Sequence, residues 1–568
     1  MSGATASIIH GPPLADMPGL GAQTLPGYLR EVTRRFSGRE ALVIRHPGGD
    51  AERWSYAELW ARALEVAQAL VASGVGKDSR VGVMMTNRPE WLAAFFGVGL
   101  AGGVAVTLST FSTPAELEYL LQAGCVGVLL FERRVLKKDF AAILTELAPE
   151  IATADPGELI APKFPYLRRL VAVDDMPGEG RGAIEAWAPF LARGRSIPAD
   201  LIDRTAAAVS PADPGALYFS SGSTGKPKGI LSAHRGLAIQ LWRWGVYTGV
   251  EDDVRCLSAN GFFWSGNFCQ TLGPTLSTGG SLVLLPTFDP VEALKLMEAE
   301  RVTLPIGWTH QWARLEEAPN WAAADLSSLR YVDPAYALAR HPTVKTSWTE
   351  PRASYGNTEA FTIVTGYPAC TPDEIAGESH GVALEDCTIK VVDPMTGEIL
   401  PRGQSGEIAV KGPTLMLGYL GTPLDQTLDA EGFFRTGDGG RIDDHDRLIW
   451  EGRMTDIIKT GGANVSPIEV DTELAACPGV KLSRTVGVPH ETLGELVVTC
   501  VVREPDAALD EATVRDFLRE RLASYKTPRR VLFVGDDELS FTGSAKVKTS
   551  GLRELALKRL QAEGKQEQ

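Results

Sequence analysis

Cysteine is scarce in this sequence, and a basic leader is missing. The 568 residues include seven cysteines, which lie far apart and form no C-x-x-C pair. Such spacing indicates neither a disulfide framework nor a cysteine-held zinc site, so we expect reduced, buried thiols and a cytoplasmic protein. The first basic residue is Arg30. A secretory signal needs a basic start and a continuous apolar run, and we therefore expect none.

Long apolar runs and an excess of positive charge are also missing. No apolar run reaches the roughly 20 residues that span a bilayer, so we expect no membrane insertion. The chain carries 56 Lys and Arg against 71 Asp and Glu, which gives a formal net charge of −15. A chain this acidic binds nucleic acid poorly, so we expect no nucleic-acid partner. The oligomeric state stays open.

Length and apolar pattern predict an α/β protein of two domains. A chain of 568 residues is too long for one hydrophobic core. Strand-like and helix-like segments alternate, which is typical of mostly parallel sheets with helices on their faces. Two helices are predicted to begin with capping boxes, at Ser55 with Glu58 and at Thr113 with Glu116. Residues 389–392 and 407–410 alternate like antiparallel strands and predict a small barrel-like subdomain.

The domain boundaries follow from shifts in composition. Residues 1–25 are rich in Gly and Pro and predict a flexible arm. We predict a large N-terminal domain over residues 26–451, a hinge over residues 452–455 and a smaller α+β domain over residues 456–568.

The stretch from Ser220 to Gly229 carries the strongest chemical signal. It holds three glycines, four hydroxyls and two lysines, directly after the apolar run 216–219. Glycines let backbone N–H groups turn inward, hydroxyls donate hydrogen bonds and lysines bring charge, so we predict a polyphosphate site. A flexible linker is the alternative, although Pro227 between the lysines opposes it. A Walker-type loop is excluded, because Ser220 replaces its first glycine and Pro227 follows Lys226.

This stretch resembles the signature loop of the adenylate-forming superfamily of acyl-CoA synthetases, adenylation domains and luciferases, and the chain is most like an acyl-CoA ligase. The resemblance extends from about residue 25 to 560. It implies an ATP- and acyl-binding N-terminal domain and a mobile C-terminal domain. The implied ATP contacts in the loop are Ser220, Ser221, Gly222, Ser223, Thr224, Gly225, Lys226 and Lys228, with Thr224 also catalytic.

A second motif, Tyr355-Gly356-Asn357-Thr358-Glu359, matches the superfamily's Tyr-Gly-x-Thr-Glu. Alone, it could simply cap a helix. The resemblance implies that Tyr355 lies against the adenine and that Thr358 binds a phosphate oxygen, with Gly356 and Asn357 in the same cofactor site. Glu359 would be catalytic as the ligand of Mg²⁺, a hard cation that prefers carboxylate and phosphate oxygen.

Asp438 ends the third motif, Phe434-Arg435-Thr436-Gly437-Asp438. Acidic residues accept hydrogen bonds from ribose hydroxyls in nucleotide sites generally, and the resemblance implies this role here. A solvated turn aspartate is the alternative.

The fourth motif begins at Gly452 and resembles the superfamily's hinge. Arg453 would contact ribose or phosphate, Lys459 would serve the second half-reaction, and Gly461 and Gly462 would let a thiol-bearing cofactor pass close to the backbone. Relatives carry Asp or Lys where this chain has Thr455, followed by Asp456, so either residue could be the pivot.

Near the C-terminal end, Ala545-Lys546 stands where relatives have Gly-Lys. The resemblance implies that Lys546 is the catalytic lysine of the first step, with Lys548 as a near neighbour. A solvated lysine of the tail is the alternative.

The acyl pocket is predicted to depart from the family pattern. Phe263, Trp264 and Ser265 fall in a segment where relatives carry a histidine, and this chain has none there. Trp308 is predicted to add a wall, although a plain aromatic core is equally compatible. The segment 332–336 replaces the glycine-rich stretch that backs the adenine in relatives. The segment from Tyr336 to Tyr355 is also short, and we expect an acid that is neither acetate nor a very long chain.

Together, the motifs imply an ATP-dependent acid–thiol ligase. A carboxylic acid would attack the α-phosphate of ATP with Mg²⁺ present, pyrophosphate would leave, and the thiol of coenzyme A would then take the acyl group. One alternative is a stand-alone adenylation enzyme that loads a carrier-protein thiol. Another is a non-catalytic nucleotide-binding protein.

Overall fold

The computed structural model describes residues 5–46, 49–174, 182–220, 226–377, 379–454, 458–465, 467–505, 507–535, 538 and 549–562. In chain order, the strands are β1 (Ile8–His10), β2 (Glu40–Arg45), β3 (Ala51–Ser55), β4 (Arg80–Met84), β5 (Val104–Thr107), β6 (Val128–Phe131), β7 (Arg134–Val135), β8 (Lys138–Asp139), β9 (Arg169–Ala172), β10 (Ile184–Ala186), β11 (Pro214–Ser220), β12 (Lys228–Ala233), β13 (Arg255–Ser258), β14 (Ser281–Leu284), β15 (Leu304–Ile306), β16 (Thr365–Gly366), β17 (Val382–Ala383), β18 (Thr388–Val392), β19 (Gly406–Lys411), β20 (Gly418–Tyr419), β21 (Phe434–Ile442), β22 (Leu448–Arg453), β23 (Ile458–Thr460), β24 (Ala463–Val465), β25 (Val480–His490), β26 (Gly494–Arg503) and β27 (Arg530–Phe533).

The helices are α1 (Leu25–Arg35), α2 (Tyr56–Ala72), α3 (Pro89–Leu100), α4 (Pro114–Ala123), α5 (Phe140–Leu147), α6 (Trp187–Arg193), α7 (Ala199–Ala208), α8 (His234–Tyr247), α9 (Ser265–Thr278), α10 (Pro290–Ala299), α11 (Thr309–Glu316), α12 (Asp373–Ala376), α13 (Pro467–Leu474), α14 (Glu511–Arg519) and α15 (Thr549–Ala562). Both predicted capping boxes are confirmed, at the starts of α2 and α4. No helix in the described part of the chain is long and apolar enough to cross a membrane.

Two mostly parallel sheets build the large N-terminal domain. One has the order β10-β9-β6-β4-β5-β11-β12-β20 and the other β15-β13-β14-β2-β3. Helices α3, α8 and α9 pack between the two sheets. Residues of these helices and of both sheets belong to one continuous apolar core. Burial on every side explains why α3 is apolar around its whole circumference rather than amphipathic. The predicted α/β class is confirmed.

A smaller antiparallel sheet has the order β1-β18-β19-β21-β22. It matches the predicted barrel-like subdomain, and β21 and β22 carry two of the sequence motifs. Its first strand corrects one prediction, since residues 8–10 do not belong to a flexible arm. They pair with Thr388–Lys390, and Ile9 is buried. Three residues between glycines and prolines give too little periodicity to indicate a strand.

The C-terminal part forms a compact unit of its own. β23 and β24 make a hairpin, β23 pairs with β26, and β26 pairs with β25 and with the parallel β27. Helices α13 and α14 share a core with one face of this sheet, and α15 covers the other. The hinge predicted over residues 452–455 stays a prediction, since Thr455 and Asp456 lie outside the described residues.

Candidate active site

One cavity of ≈ 960 Å³ is lined by residues of both domains. The predicted site residues that line it are Ser220, Lys228, Phe263, Trp264, Ser265, Trp308, Tyr355, Gly356, Asn357, Thr358, Glu359, Asp438, Lys459 and Gly462. Two predicted residues, Lys226 and Gly461, lie beside the cavity rather than in its wall. The loop residues Ser221, Gly222, Ser223, Thr224 and Gly225 and the tail residue Lys546 lie outside the described residues, as does the side chain of Arg453.

The phosphate stretch connects two paired strands. β11 runs parallel to the central strand β5 and ends at Ser220, and β12 starts at Lys228, directly opposite Ser220 in the antiparallel register. The stretch therefore begins at the carboxyl end of a parallel strand, where ligand sites of α/β sheets are found. Lys226 is exposed, with its Nζ 5.4 Å from the centroid of the Tyr119 ring.

Tyr419 links the phosphate stretch to the predicted metal ligand. Its ring centroid lies 4.8 Å from Nζ of Lys228, and its hydroxyl donates to Oε1 of Glu359 over 2.7 Å. No group of three or more His, Cys, Asp and Glu that could hold a metal ion occurs among the described residues. Glu359 could supply one carboxylate to Mg²⁺, with phosphate and water as the other ligands, which is how Mg²⁺ is usually held.

A side chain does not fit at Gly356, in the turn that follows Tyr355. A Cβ at Gly356 would lie 1.6 Å from the backbone oxygen of Thr362. Asn357 closes the turn, because its Oδ1 accepts from the backbone N–H of Ala360 over 2.9 Å. The tight turn places Thr358 and Glu359 at the cavity wall.

Asp438 lies beside Tyr355 although 83 residues separate them. The Tyr355 hydroxyl donates to Oδ2 of Asp438 over 2.7 Å, and both side chains are buried. Asp438 points inward because β21 alternates between buried and partly exposed residues. Thr436 anchors the strand by donating to the backbone oxygen of Ile408 over 2.8 Å. A carboxylate offers about four lone-pair sites, so this residue type can accept from several donors at once, ribose hydroxyls among them.

Aromatic rings wall the predicted acyl end of the cavity. Phe263 and Trp264 pack edge to face with ring centroids 5.2 Å apart, and Trp308 lines the same cavity. Phe262, by contrast, packs into the core against Trp91. Ser265 begins α9 and also lines the cavity.

The segment 332–336 does not contribute to the cavity wall. The Asp333 carboxylate instead accepts from the backbone N–H of Glu350 over 3.1 Å, and Tyr336 donates its hydroxyl to Glu350 over 2.8 Å. The segment is thus committed to local contacts.

The hairpin of β23 and β24 reaches the cavity from the C-terminal domain. Gly462 has φ +79°, and a Cβ there would lie 2.5 Å from Cδ2 of Trp308. Both the backbone conformation and the lack of space therefore require glycine at this position. Nζ of Lys459 lies 3.6 Å from the centroid of the Trp450 ring, a cation–π contact at the cavity wall. Gly461 packs beside His310.

Several cavity residues escaped sequence analysis. They are Trp244, Asn267, Gln270, Ile363, Tyr419 and Tyr525. Trp244 and Asn267 stand in helices whose residues are mostly buried, where apolar periodicity marks no particular face, and Tyr419 follows a glycine on a two-residue strand. No local pattern in the sequence marks these positions, so only the folded structure shows that they line the cavity.

Comparison with known proteins identifies the family. The AMP-binding enzyme family matches residues 29–420, and the C-terminal domain of AMP-binding enzymes matches residues 469–546.

Curated relatives match along nearly the whole chain. The 3-(7a-methyl-1,5-dioxo-octahydro-1H-inden-4-yl)propanoyl:CoA ligase of Mycobacterium tuberculosis is 32% identical over 547 residues, covering 94% of this chain and 99% of the relative. A feruloyl-CoA synthase of Amycolatopsis is 32% identical over 524 residues, covering 91% and 96%. Among solved structures, the amide bond synthetase McbA of Marinactinospora thermotolerans is similar with a TM-score of 0.71 at 25% identity, covering 93% of this chain and 99% of that one. The chain belongs to the AMP-binding enzyme family, as its motifs predicted.

Proposed function

We propose that this chain is an ATP-dependent acid–thiol ligase, which first joins a carboxylic acid to AMP and then transfers the acyl group to coenzyme A. One observation carries this proposal. A single cavity brings together Ser220 and Lys228 from the ends of the predicted phosphate loop, the carboxylates Glu359 and Asp438, and the Gly462 hairpin of the other domain.

In the first half-reaction, a carboxylate oxygen of the acid attacks the α-phosphorus of ATP. A bond forms between that oxygen and phosphorus, and the bond to the pyrophosphate oxygen breaks. Negative charge moves toward the departing pyrophosphate, so cationic and N–H donors near the phosphates stabilise the transition state. Lys228 lies at the cavity for this purpose, and Lys546 would join it from the C-terminal domain.

In the second half-reaction, the thiol sulfur of coenzyme A attacks the acyl carbon. A carbon–sulfur bond forms, the bond to AMP breaks, and the thiol proton leaves. Pantetheine would pass along the hairpin of β23 and β24, which lines the cavity at Lys459, Gly462 and Ala463. Glu359 is placed to hold Mg²⁺, which would neutralise phosphate charge when bound.

We also propose a ring-bearing acid as the substrate. Trp244, Phe263, Trp264 and Trp308 give the cavity flat apolar walls, and flat rings stack on such walls better than a short or long alkyl chain does. The names of the two curated relatives also describe ring-bearing acyl groups.

The test is a panel of acids scored by pyrophosphate release with ATP, Mg²⁺ and coenzyme A. Ferulate, benzoate and phenylacetate should give kcat/KM values at least about tenfold above acetate and palmitate, since pocket fit alone supplies factors of this size. Release that requires a carrier protein would support the carrier-loading alternative. Release that requires an amine would instead place the chain with the amide bond synthetase. An inert panel would contradict the ligase proposal.

Positive charge lies near Gly461, along which coenzyme A is proposed to enter. Burial, Arg529 and Arg314 lower the pKa of His310, which packs beside Gly461. Arg314 comes from α11 and Arg529 from the segment before β27. Neither arginine has an ion-pair partner among the described residues, and both are exposed. The two guanidinium groups come from different domains, and each lies close enough for its charge to act on His310.

Arg529→Ala should raise the KM for coenzyme A about tenfold and leave the KM for pantetheine unchanged, because only coenzyme A has the nucleotide phosphates that a guanidinium binds. The effect should shrink as salt is added. Arg519→Ala is the matched control, since Arg519 is an exposed arginine of the same domain that already pairs with Asp516. Equal losses with both thiols would contradict the assignment.

A further inference from the structure

The carboxylate of Glu116, in the N-terminal domain, accepts hydrogen bonds from both domains. Oε2 of Glu116 accepts from the backbone N–H of Thr113 over 2.9 Å and so completes the capping box of α4. Oε1 of the same residue accepts from the backbone N–H of Ala523 and from Nζ of Lys526, each over 3.1 Å. Thr113 adds a bond, since its hydroxyl donates to the backbone oxygen of Arg521 over 3.1 Å.

The capping box of α2 shows what helix capping alone requires of a glutamate. Oε2 of Glu58 accepts from the backbone N–H of Ser55 over 2.7 Å, and Glu58 is solvent-exposed. The bonds from Glu116 to Ala523 and Lys526 are therefore more than helix capping requires.

Lys526 is the buried centre of the contact. It is 4% exposed, and its Nζ also donates to Oε1 of Glu469 over 2.8 Å. Burial alone would lower the pKa of Lys526, but Tyr525, Glu116 and Glu469 raise it well above its usual value. The ammonium thus stays charged and depends on carboxylates from both sides of the domain boundary, and removing one partner of such a buried group is costly.

Lys526 and the Gly462 hairpin belong to one rigid unit. Lys526 shortly precedes β27, β27 pairs with β26, and β26 pairs with β23 of the hairpin. Tyr525, next to Lys526, packs edge to face on Trp264 of the acyl wall with ring centroids 6.1 Å apart. A contact that fixes Lys526 therefore also fixes where Gly462 and Lys459 meet the cavity.

We propose that the Glu116–Lys526 pair is a positioning contact that holds the C-terminal domain in its thiol-transfer arrangement and breaks when Lys546 approaches for adenylate formation. This inference rests on the proposed function, which uses Lys459 and Lys546 from the same domain in different steps. A C-terminal domain that carries both lysines cannot keep the contact between Glu116 and Lys526 while it rotates to bring Lys546 to the cavity.

Glu116→Gln tests the proposal, because glutamine keeps the capping box and removes the charge. Thioester formation from preformed acyl-adenylate should fall about tenfold, through loss of the competent arrangement, while pyrophosphate exchange is unchanged or faster. Glu58→Gln, the matched change in α2, should alter neither rate. Adding Glu116→Gln to Lys526→Gln should cost nothing more, since the shared contact is already lost. Equal losses in both half-reactions, or none, would overturn the proposal.

A second readout needs no substrate and so separates this proposal from the ligase proposal. Dyes on cysteines introduced at exposed Ala115 and Glu520, in a background with the exposed Cys370 replaced by serine, report the distance between the domains. The wild-type contact should give a dominant short distance that Glu116→Gln reduces to a minority. An unchanged distribution would overturn the proposal even if every acid were inert.

Discussion

Asp438→Asn is expected to lower kcat/KM for ATP in adenylate formation by about 10- to 100-fold. The carboxylate is buried and accepts from the Tyr355 hydroxyl, and we propose that the ribose hydroxyls also donate to it. A hydrogen bond to a charged acceptor contributes about 1.5–3 kcal/mol, and asparagine has half the acceptor capacity and no charge. Acid-dependent exchange of pyrophosphate into ATP measures the effect.

Tyr355→Phe is the control for Asp438. It removes the hydroxyl that donates to Asp438 over 2.7 Å but leaves the carboxylate and the ring in place. The loss should be about tenfold or less, the size of one hydrogen bond. If Asp438→Asn were no worse than this control, the carboxylate would be structural, and another residue would bind the ribose.

Lys546→Ala should slow adenylate formation by about 10²–10³-fold, the usual loss when one donor to developing transition-state charge is removed. Thioester formation from supplied acyl-adenylate should continue, because that step would use the Lys459 side of the C-terminal domain. Rapid-quench assays of the two half-reactions separate these effects. Binding of ATP itself should survive.

Lys548→Ala is the matched control for Lys546, two residues away with the same charge. It should leave both half-reactions intact. A loss with Lys548→Ala instead would move the catalytic assignment by two residues. A loss of both half-reactions with Lys546→Ala would contradict its proposed restriction to the first step.

Short motifs predicted much of the cavity because their chemistry is local in sequence. Ser220, Lys228, Tyr355, Glu359, Asp438 and Gly462 line one wall or another of it. Tight turns such as that at Gly356 fix neighbouring side chains relative to one another, so a string of five residues already specifies a piece of the site. The resemblance to a family then supplied how these pieces meet.

What the sequence could not predict depends on contacts between distant segments. Tyr419 reaches Glu359 and Lys228 only because β20 pairs with β12, and the Glu116–Lys526 pair joins residues 410 positions apart. The segment 332–336 departs from the stretch that backs the adenine in relatives, and the structure shows that Asp333 and Tyr336 bind Glu350. No periodicity within a short window reports such pairings.

The strand β1 has a consequence for synthesis on the ribosome. His10 and its neighbour Thr388 are 378 positions apart, so at 5–20 residues per second the first strand would wait about 20 to 80 s for its partner to be made. During translation, the amino terminus must therefore stay unpaired while the large parallel sheets form. Its docking along β18 would be among the last events in the maturation of the N-terminal domain.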